Sequence, residues 1–342
     1  MRAIERCRTA ALGGRVYYCQ DCDETLYRYH SCRNRHCPKC QLDKAQVWLE
    51  KQRDFLLPVP YFLLTFTLPA PFRRIARSHQ KLVYNLLFRI SAAASQLLAQ
   101  DARFVGGQLG MMGVLHTWTR NLIYHPHVHY LLPAGGLAPD NQTWLAASRR
   151  FLFPVKALSR LFRAQFRQAL QETELYSLIP SDVWWQEWVV HCKSVGDGRT
   201  ALKYLAPYVF RVAISNQRIL KLADGQVTFR YRDSDTGKSR LCSLSAMEFI
   251  RRFLQHVLPR GFVKVRYYGF FSSGLRPRLT ALRQALQPAS SHQPTSQQFD
   301  HPTVAAVQQA VPPVPSYQPI CPGCDEPMHL EQIIRPQRQQ PP

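Results

Sequence analysis

The sequence is poor in acidic residues, and this scarcity is its strongest global feature. Its 342 residues contain 22 Asp and Glu against 44 Lys and Arg, which gives a formal net charge of +22. Such an excess predicts a polyanionic partner such as nucleic acid. Most of the basic residues are arginines, whose planar guanidinium suits phosphate. They are spread along the chain without forming a basic tail, so we expect a folded basic surface.

The sequence also lacks an apolar run of the length needed to span a membrane. The longest candidate, residues 61–70 (YFLLTFTLPA), is far too short. The N-terminal residues MRAIERCRTA do not contain the apolar core of a secretory signal. We therefore expect a cytoplasmic, nucleoid-associated protein whose partner is nucleic acid and not a membrane, because membrane attachment would need an amphipathic or lipidated element.

Cysteine is scarce over most of the chain but crowded at its start, where six of the ten cysteines fall within the first 40 residues. In a cytosolic protein, this crowding indicates metal binding and not a disulfide framework. Two C-x2-C pairs, each placing two thiolates at a tight turn, predict one closed, structural Zn²⁺ site. Its expected ligands are Cys19, Cys22, Cys37 and Cys40.

The remaining candidate zinc ligands leave two questions open. Cys7, Cys32 and His36 are candidates for a second zinc site, for which His30 is the one nearby fourth ligand. The C-x2-C formed by Cys321 and Cys324 is compatible with half of a zinc ribbon, with a redox pair or with neither. Its ligation is therefore not assigned from the sequence.

The order of predicted elements gives the domain organisation. We expect a zinc-binding domain at 1–45, a larger domain at 55–272, a Gln/Pro/Ser-rich linker at 285–320 and a C-terminal tail at 321–342, with no internal repeat. The middle region reads β-α-β-β-α-β, which predicts an α+β, ferredoxin-like split βαβ domain with an antiparallel sheet. The strands are predicted at 61–69, 111–120, 125–133 and 184–195, and the helices at 71–100 and 154–173.

Histidines at alternate positions mark the third of these strands. His127 and His129 share one face of the strand, while His125 has the same parity but lies at the mouth of the strand. His116, on the preceding strand, lies close to this pair if the two strands form an antiparallel hairpin. Three imidazoles on one sheet face predict a catalytic divalent-metal site with open coordination positions. Packing or hydrogen-bonded histidines are the alternative explanation.

Two tyrosines are candidate nucleophiles. Tyr204 and Tyr208 are four residues apart in a predicted helix and therefore lie on one face. A phenol can form a covalent phosphoester intermediate, although from spacing alone two packing tyrosines are the commoner explanation. Pro207 lies between them and removes an N–H from the helix, so we expect a kink that displaces Tyr208.

Taken together, several motifs closely resemble the zinc-containing HUH transposases of bacterial rolling-circle insertion sequences, where HUH denotes two histidines around a hydrophobic residue. The resemblance runs from Cys7 to Phe270 through the segments CRTAALGG, SCRNRHCPKCQ, LHTW…HPHVHYLLPAGG, YLAPYVFRVAISNQRI and LSAMEFIRRFLQHVLPRGFVKVRYYGF.

The resemblance implies a specific chemistry. His127 and His129 correspond to the HUH pair, Tyr204 and Tyr208 to the two catalytic tyrosines, and His116 looks similar to a third histidine of related relaxases. The resemblance implies that residues 55–272 form an HUH nuclease domain, which nicks and rejoins single-stranded or hairpin DNA ends with Mg²⁺ or Mn²⁺. A tyrosine becomes joined to the 5′ phosphate and a 3′ hydroxyl is released.

Two other functions remain open from the residues. HPHVHYL also fits the pattern of a histidine-triad nucleotide hydrolase, in which a histidine would be the nucleophile. Such proteins are small and not strongly basic, and this reading leaves the cysteines unexplained. The second alternative is a catalytically inactive, zinc-dependent DNA-binding remnant of a transposase.

Overall fold

The computed structural model describes residues 2–34, 37–210, 213–233, 236–287 and 318–337. The chain divides into two units. The first unit comprises residues 1–40 together with residues 288–342, and the second comprises residues 41–287. The expected linker at 285–320 falls almost entirely outside the described residues.

Eight α-helices are found among the described residues. They are α1 (Arg2–Glu5), α2 (Pro38–Arg53), α3 (Phe72–Ser78), α4 (Gln80–Ala99), α5 (Val155–Gln171), α6 (Arg199–Phe210), α7 (Ala246–Leu254) and α8 (Arg276–Ala285).

The same residues contain thirteen β-strands. They are β1 (Gly14–Tyr18), β2 (Thr25–Tyr29), β3 (Tyr61–Thr67), β4 (Met111–Trp118), β5 (Tyr124–Pro133), β6 (Gly135–Leu137), β7 (Trp144–Ala146), β8 (Val190–Ser194), β9 (Ile219–Ala223), β10 (Gln226–Arg232), β11 (Ser239–Ser245), β12 (Val265–Tyr268) and β13 (His329–Ile334).

In the first unit, the two ends of the chain share one sheet. β1 is the central strand and pairs antiparallel with β2 on one side and with β13 on the other. The C-terminal residues therefore belong to the same unit as the N-terminal cysteines, although about 300 residues separate them in the sequence.

The second unit is built on a five-stranded sheet in the order β12-β4-β5-β3-β8, in which each strand is antiparallel to its neighbours. The side chains of β3 alternate between two hydrophobic clusters. Phe62, Leu64 and Phe66 are buried in the larger core with α4 and α5. Tyr61 lies on the opposite face, in a second core to which α6 contributes Leu202. The sheet is therefore covered on both faces, and α6 lies on the face to which odd-numbered β5 residues point.

The long helix expected at 71–100 is divided into α3 and α4 at His79, whose φ of −123° and ψ of 46° are not helical. Contrary to our expectation, α4 has the length and composition of a membrane-spanning helix. Within its apolar window, however, 61% of the residues are buried inside the protein. The core of the second unit therefore accounts for its apolar residues.

Short local motifs set a turn and a helix cap in the C-terminal half of the second unit. Asp224 and Gly225 have φ values of 50° and 68°, the left-handed conformation that a two-residue hairpin turn requires, and they connect β9 to β10. Ser245 caps α7, since its hydroxyl accepts a hydrogen bond from the backbone N–H of Glu248 at 3.3 Å. The strand expected at 184–195 is shorter, because residues 181–184 form a 3-10 turn and β8 begins at Val190.

Candidate active site and metal centres

The structure does not bring together the four cysteines that were expected to form one zinc site. Cys19 and Cys22 lie in one four-cysteine cluster, and Cys37 and Cys40 lie in another. The expected grouping is therefore corrected. Sequence spacing limits which thiols can share a turn, but the pairing of strands that are distant in sequence decides which turns face each other.

The first cluster consists of Cys7, Cys32, Cys37 and Cys40. The Sγ atoms of Cys7 and Cys40 are 3.5 Å apart, and those of Cys32 and Cys40 are 3.8 Å apart. Four thiolates held tetrahedrally at about 2.3 Å from Zn²⁺ would be about 3.8 Å from one another. Cys7 and Cys32, which were expected in the second zinc site, thus group with the C-x2-C pair of Cys37 and Cys40. His36 lies outside the described residues.

The second cluster consists of Cys19, Cys22, Cys321 and Cys324. The Sγ atoms of Cys19 and Cys324 are 3.4 Å apart, and those of Cys22 and Cys321 are 3.2 Å apart. These distances are too long for a disulfide and again fit a tetrahedral thiolate site. The sequence contained a signal that we did not use. The segment CQDCDE at 19–24 recurs as CPGCDE at 321–326, a short internal repeat that was missed.

The three candidate metal-ligating histidines meet on the sheet face that α6 covers. His116 of β4 lies directly opposite His127 of β5, and His129 lies opposite Val114. The ring centroids of His116, His127 and His129 are 4.6 to 5.1 Å apart. One ring nitrogen from each lies within 4.8 Å of the others. The hairpin geometry that we inferred from the sequence therefore places these three imidazoles together.

Hydrogen bonds orient two of the rings. His127 Nδ1 is 2.7 Å from the backbone oxygen of His125, and because a carbonyl only accepts, Nδ1 donates and Nε2 keeps a free lone pair. His129 Nδ1 is 2.7 Å from the hydroxyl of Thr65. Within the described ranges, the buried Nε2 atoms of His116 and His129 have no hydrogen-bond partner. Leaving such atoms unsatisfied is costly, and a cation bound to these lone pairs would remove the cost.

Burial also sets the protonation state of the cluster. It lowers the pKa of His127 to about 4, although the bond to the His125 carbonyl opposes this shift. It lowers the pKa of His116 and His129 well below the usual value, and the neighbouring imidazoles lower both further. All three rings are therefore neutral at pH 7, which is the state that binds a metal ion.

Both candidate nucleophiles project from α6 toward this cluster. The ring of Tyr204 is 6.1 Å from that of His129, and the ring of Tyr208 is 4.1 Å from that of His116. The two phenol rings are 5.0 Å apart. Tyr204 is 41% exposed. Partial burial raises the pKa of its hydroxyl, the neighbouring Tyr208 raises this pKa further, and Arg120 lowers it.

The displacement of Tyr208 that we expected from Pro207 is not observed. α6 continues past Pro207 to Phe210, and Tyr208 packs against His116 and Trp118. Proline removes one backbone hydrogen bond near the end of a helix, where little of the helix remains to be disturbed. Contacts with the sheet hold the tyrosine in place.

Other side chains around the cluster were not identified from the sequence. Trp118 stacks on His116 with ring centroids 5.3 Å apart and an interplanar angle of 14°. Lys264 Nζ lies 4.9 Å from the centroid of the Trp118 ring, and its burial lowers its pKa to about 7. Lys264 belongs to the segment before the edge strand β12, so only the assembled sheet brings it near the histidines.

Two family models match parts of this chain. Residues 110–278 match a family model described as "Putative transposase", and residues 1–68 match one described as "Transposase zinc-binding domain". The first span includes the histidine cluster and both tyrosines, and the second includes the six N-terminal cysteines. Cys321 and Cys324 lie outside both spans.

Two relatives extend the similarity over most of the chain. "Putative transposase y4qJ" of Sinorhizobium fredii is 42% identical over 318 residues, covering 87% of this chain and 80% of the relative. The transposase for insertion sequence element IS801 of Pseudomonas savastanoi pv. phaseolicola is 28% identical over 286 residues, covering 78% of this chain and 68% of the relative. No solved structure shows significant similarity. The two family models and these two relatives show that the chain belongs to the family of insertion-sequence transposases with an N-terminal zinc-binding domain.

Proposed function

We propose that this transposase nicks and rejoins single-stranded DNA by an HUH-type mechanism, with Tyr204 and Tyr208 as nucleophiles and a divalent ion on His116, His127 and His129. The observation that carries the proposal is the convergence of two phenols and three neutral imidazoles on one sheet face. The strand order β12-β4-β5-β3-β8 supports it, because β3, β4, β5 and β8 follow the split βαβ arrangement of a ferredoxin-like domain. The protein would bind its DNA substrate in the cytoplasm, on the nucleoid.

The histidine set fits a catalytic cation. Three nitrogen donors leave coordination positions open for phosphate oxygens. The buried Nε2 atoms of His116 and His129, which no described residue hydrogen-bonds, are available to a cation. A bound Mg²⁺ or Mn²⁺ would polarise the scissile phosphate and stabilise the negative charge that develops on it. The protein's own contribution is to keep the imidazoles neutral and oriented, through the carbonyl of His125 and the hydroxyl of Thr65.

The tyrosine step is a phosphoryl transfer. The hydroxyl oxygen of Tyr204 forms a bond to phosphorus while the bond from phosphorus to the 3′ oxygen breaks. The phenol loses its proton and the released 3′ oxygen ends as a hydroxyl, so that the 5′ phosphate remains joined to the protein. Because burial raises the pKa of Tyr204, positive charge is needed nearby for the phenolate to form, and Arg120 already acts in that direction.

Tyr204 is the better placed of the two to meet an incoming strand. It is 41% exposed, whereas Tyr208 packs against the cluster formed by Trp118, Leu122 and Phe229. We therefore assign the first cleavage to Tyr204 and a second cleavage to Tyr208, which can act while the first strand is held covalently. We also infer that the cluster of Cys7, Cys32, Cys37 and Cys40 binds the structural Zn²⁺ of the zinc-binding domain.

The proposal is tested by incubating the protein with labelled single-stranded oligonucleotides from the ends of its element, with and without Mn²⁺. We expect a metal-dependent covalent adduct, which peptide mass spectrometry maps to Tyr204 or Tyr208. An adduct on a histidine would instead indicate the histidine-triad reaction. DNA binding without any adduct would indicate an inactive DNA-binding protein.

A further inference from the structure

We propose that Cys19, Cys22, Cys321 and Cys324 bind a second structural Zn²⁺, which joins the two ends of the chain in one zinc ribbon. The spans that match known families do not include the C-terminal pair. None of its four cysteines belongs to the first cysteine cluster, so the two sites are separate.

The first argument is that the two halves of the site have the same local structure. In each half, the first cysteine donates its backbone N–H to a glutamate carbonyl five residues later, from Cys19 to Glu24 at 2.9 Å and from Cys321 to Glu326 at 2.8 Å. Two equal turns that place their thiols against each other are the arrangement that closes a C-x2-C…C-x2-C zinc site.

The residue after each second cysteine repeats this correspondence. Asp23 and Asp325 both have positive φ, 57° and 60°, a conformation that residues other than glycine rarely adopt. The same uncommon backbone at the same place in both segments indicates one shared turn type, which brings each pair of thiols to the same side.

The second argument concerns distances and backbone donors. The Sγ atom of Cys22 lies 3.2 Å from that of Cys321 and 3.7 Å from that of Cys324. The Sγ atoms of Cys19 and Cys324 are 3.4 Å apart. The backbone N–H of Gly323 donates to Cys321 Sγ at 3.4 Å, as amides do around zinc-bound thiolates. Pairing of β1 with β13 holds the two halves in register beside the site.

Zinc content tests the proposal on the full-length protein. We expect the wild-type protein to bind two zinc ions per chain. Each of three variants should bind one: Cys19→Ser/Cys22→Ser, Cys321→Ser/Cys324→Ser and the variant that combines all four changes. Cys192→Ser, which removes a cysteine outside both clusters, is the matched control and should keep two. Wild-type zinc content in Cys321→Ser/Cys324→Ser, or less zinc in the fourfold variant than in either double variant, would overturn the proposal.

A measurement on the unaltered protein guards against misfolded variants. Cys22 and Cys324 are exposed, so as free thiols they would be accessible to iodoacetamide. Bound to Zn²⁺, they should be protected until a chelator is added, and then all four thiols of the site should react together. Rapid alkylation of Cys324 in the zinc-loaded protein would refute the site.

A separate observation carries a second inference, which rests on the proposed function. An arginine-lined cleft of about 400 Å³ lies between α3 and α7 in the second unit. Its basic residues are Arg73, Arg74, Arg77, Arg251 and Arg252.

This arginine cleft carries a large excess of positive charge. Glu248 pairs with Arg251 at 2.5 Å and with Arg252 at 2.8 Å, and it is the one carboxylate that pairs with these arginines in the described ranges. In the part of the chain that the structure describes, the buried Nε of Arg73 has no hydrogen-bond partner. An unneutralised cluster of guanidinium groups with an unused buried donor favours an anionic ligand.

The arginine cleft is adjacent to the histidine cluster. Arg73 Nη2 lies 3.3 Å from His125 Nδ1, and the ring of His125 is 5.5 Å from that of His127. Tyr124, which helps to line the cleft, is the residue immediately before His125. We infer that the arginine cleft holds backbone phosphates of the DNA strand next to the phosphate that is cut.

Binding experiments test this inference independently of catalysis. In a Tyr204→Phe background without added Mg²⁺ or Mn²⁺, Arg74→Gln/Arg77→Gln should weaken the binding of a fluorescent single-stranded 30-mer about tenfold at low salt. The same change should make the plot of log binding constant against log salt concentration less steep, by about 1 to 2 units of slope. Arg149→Gln/Arg150→Gln, which removes two exposed arginines elsewhere, is the control. The inference would be refuted if Arg74→Gln/Arg77→Gln bound DNA with the same affinity and slope as the control. It would also be refuted if this variant bound DNA normally but no longer bound anionic lipid vesicles.

Discussion

Tyr204→Phe is expected to reduce the covalent protein–DNA adduct by on the order of 10³-fold or more, to below detection, because phenylalanine keeps the ring but lacks the attacking oxygen. The ring contact between Tyr204 and Tyr208 is retained in this variant, so the geometry of the site should not change. The adduct is measured by denaturing gel electrophoresis with a labelled oligonucleotide and Mn²⁺. DNA binding without metal should remain at the wild-type level.

Tyr208→Phe provides the comparison that separates the two roles. It should still form the first adduct, within about tenfold of wild type, because Tyr208 packs against His116 through its ring and not its hydroxyl. It should lose the second cleavage and with it strand transfer. Tyr231→Phe, on β10, is the matched control and should behave as wild type. An adduct formed by the variant with both Tyr204→Phe and Tyr208→Phe would show that neither phenol is the nucleophile.

The sequence predicted the candidate active site because each part of it is a local periodic pattern. Alternation along one strand put His127 and His129 on one face, and a short connection to β4 brought His116 opposite them. Four-residue spacing put Tyr204 and Tyr208 on one face of α6. Neither pattern contains the distance between the helix and the sheet, which tertiary packing sets.

The cysteines show where local reasoning failed. Each C-x2-C predicts a turn with two thiols, but which turn faces which depends on pairing between β1 and β13, whose residues are about 300 positions apart. Proximity in sequence wrongly favoured joining Cys19 and Cys22 with Cys37 and Cys40. The repeated Cys-x-x-Cys-Asp-Glu segment was the one local clue to the correct grouping.

The remaining surroundings of the site could not be predicted at all. Trp118 and Lys264 come together through the pairing of β4 with β12. In the sequence, a tryptophan and a lysine that are 146 residues apart carry no signal of contact. Pro207 shows the opposite error, since a valid local rule predicted a displacement of Tyr208, whereas Tyr208 contacts His116 and Trp118 of the sheet.

His127→Ala is expected to abolish cleavage, on the order of 10³-fold or more, while single-stranded DNA binding stays within about threefold of wild type. The metal site would lose a neutral nitrogen ligand, whereas phosphate contacts by basic side chains dominate affinity. His127 is the least buried of the three histidines, so its truncation leaves the smallest cavity. His191→Ala, which removes an exposed histidine on β8, is the control.

Mn²⁺ should raise the melting temperature of wild type and His191→Ala but not that of His127→Ala, because a ligand that binds the folded state stabilises it. Retained cleavage, or loss of DNA binding without loss of thermal stability, would mean that the imidazole cluster is not the seat of the catalytic cation.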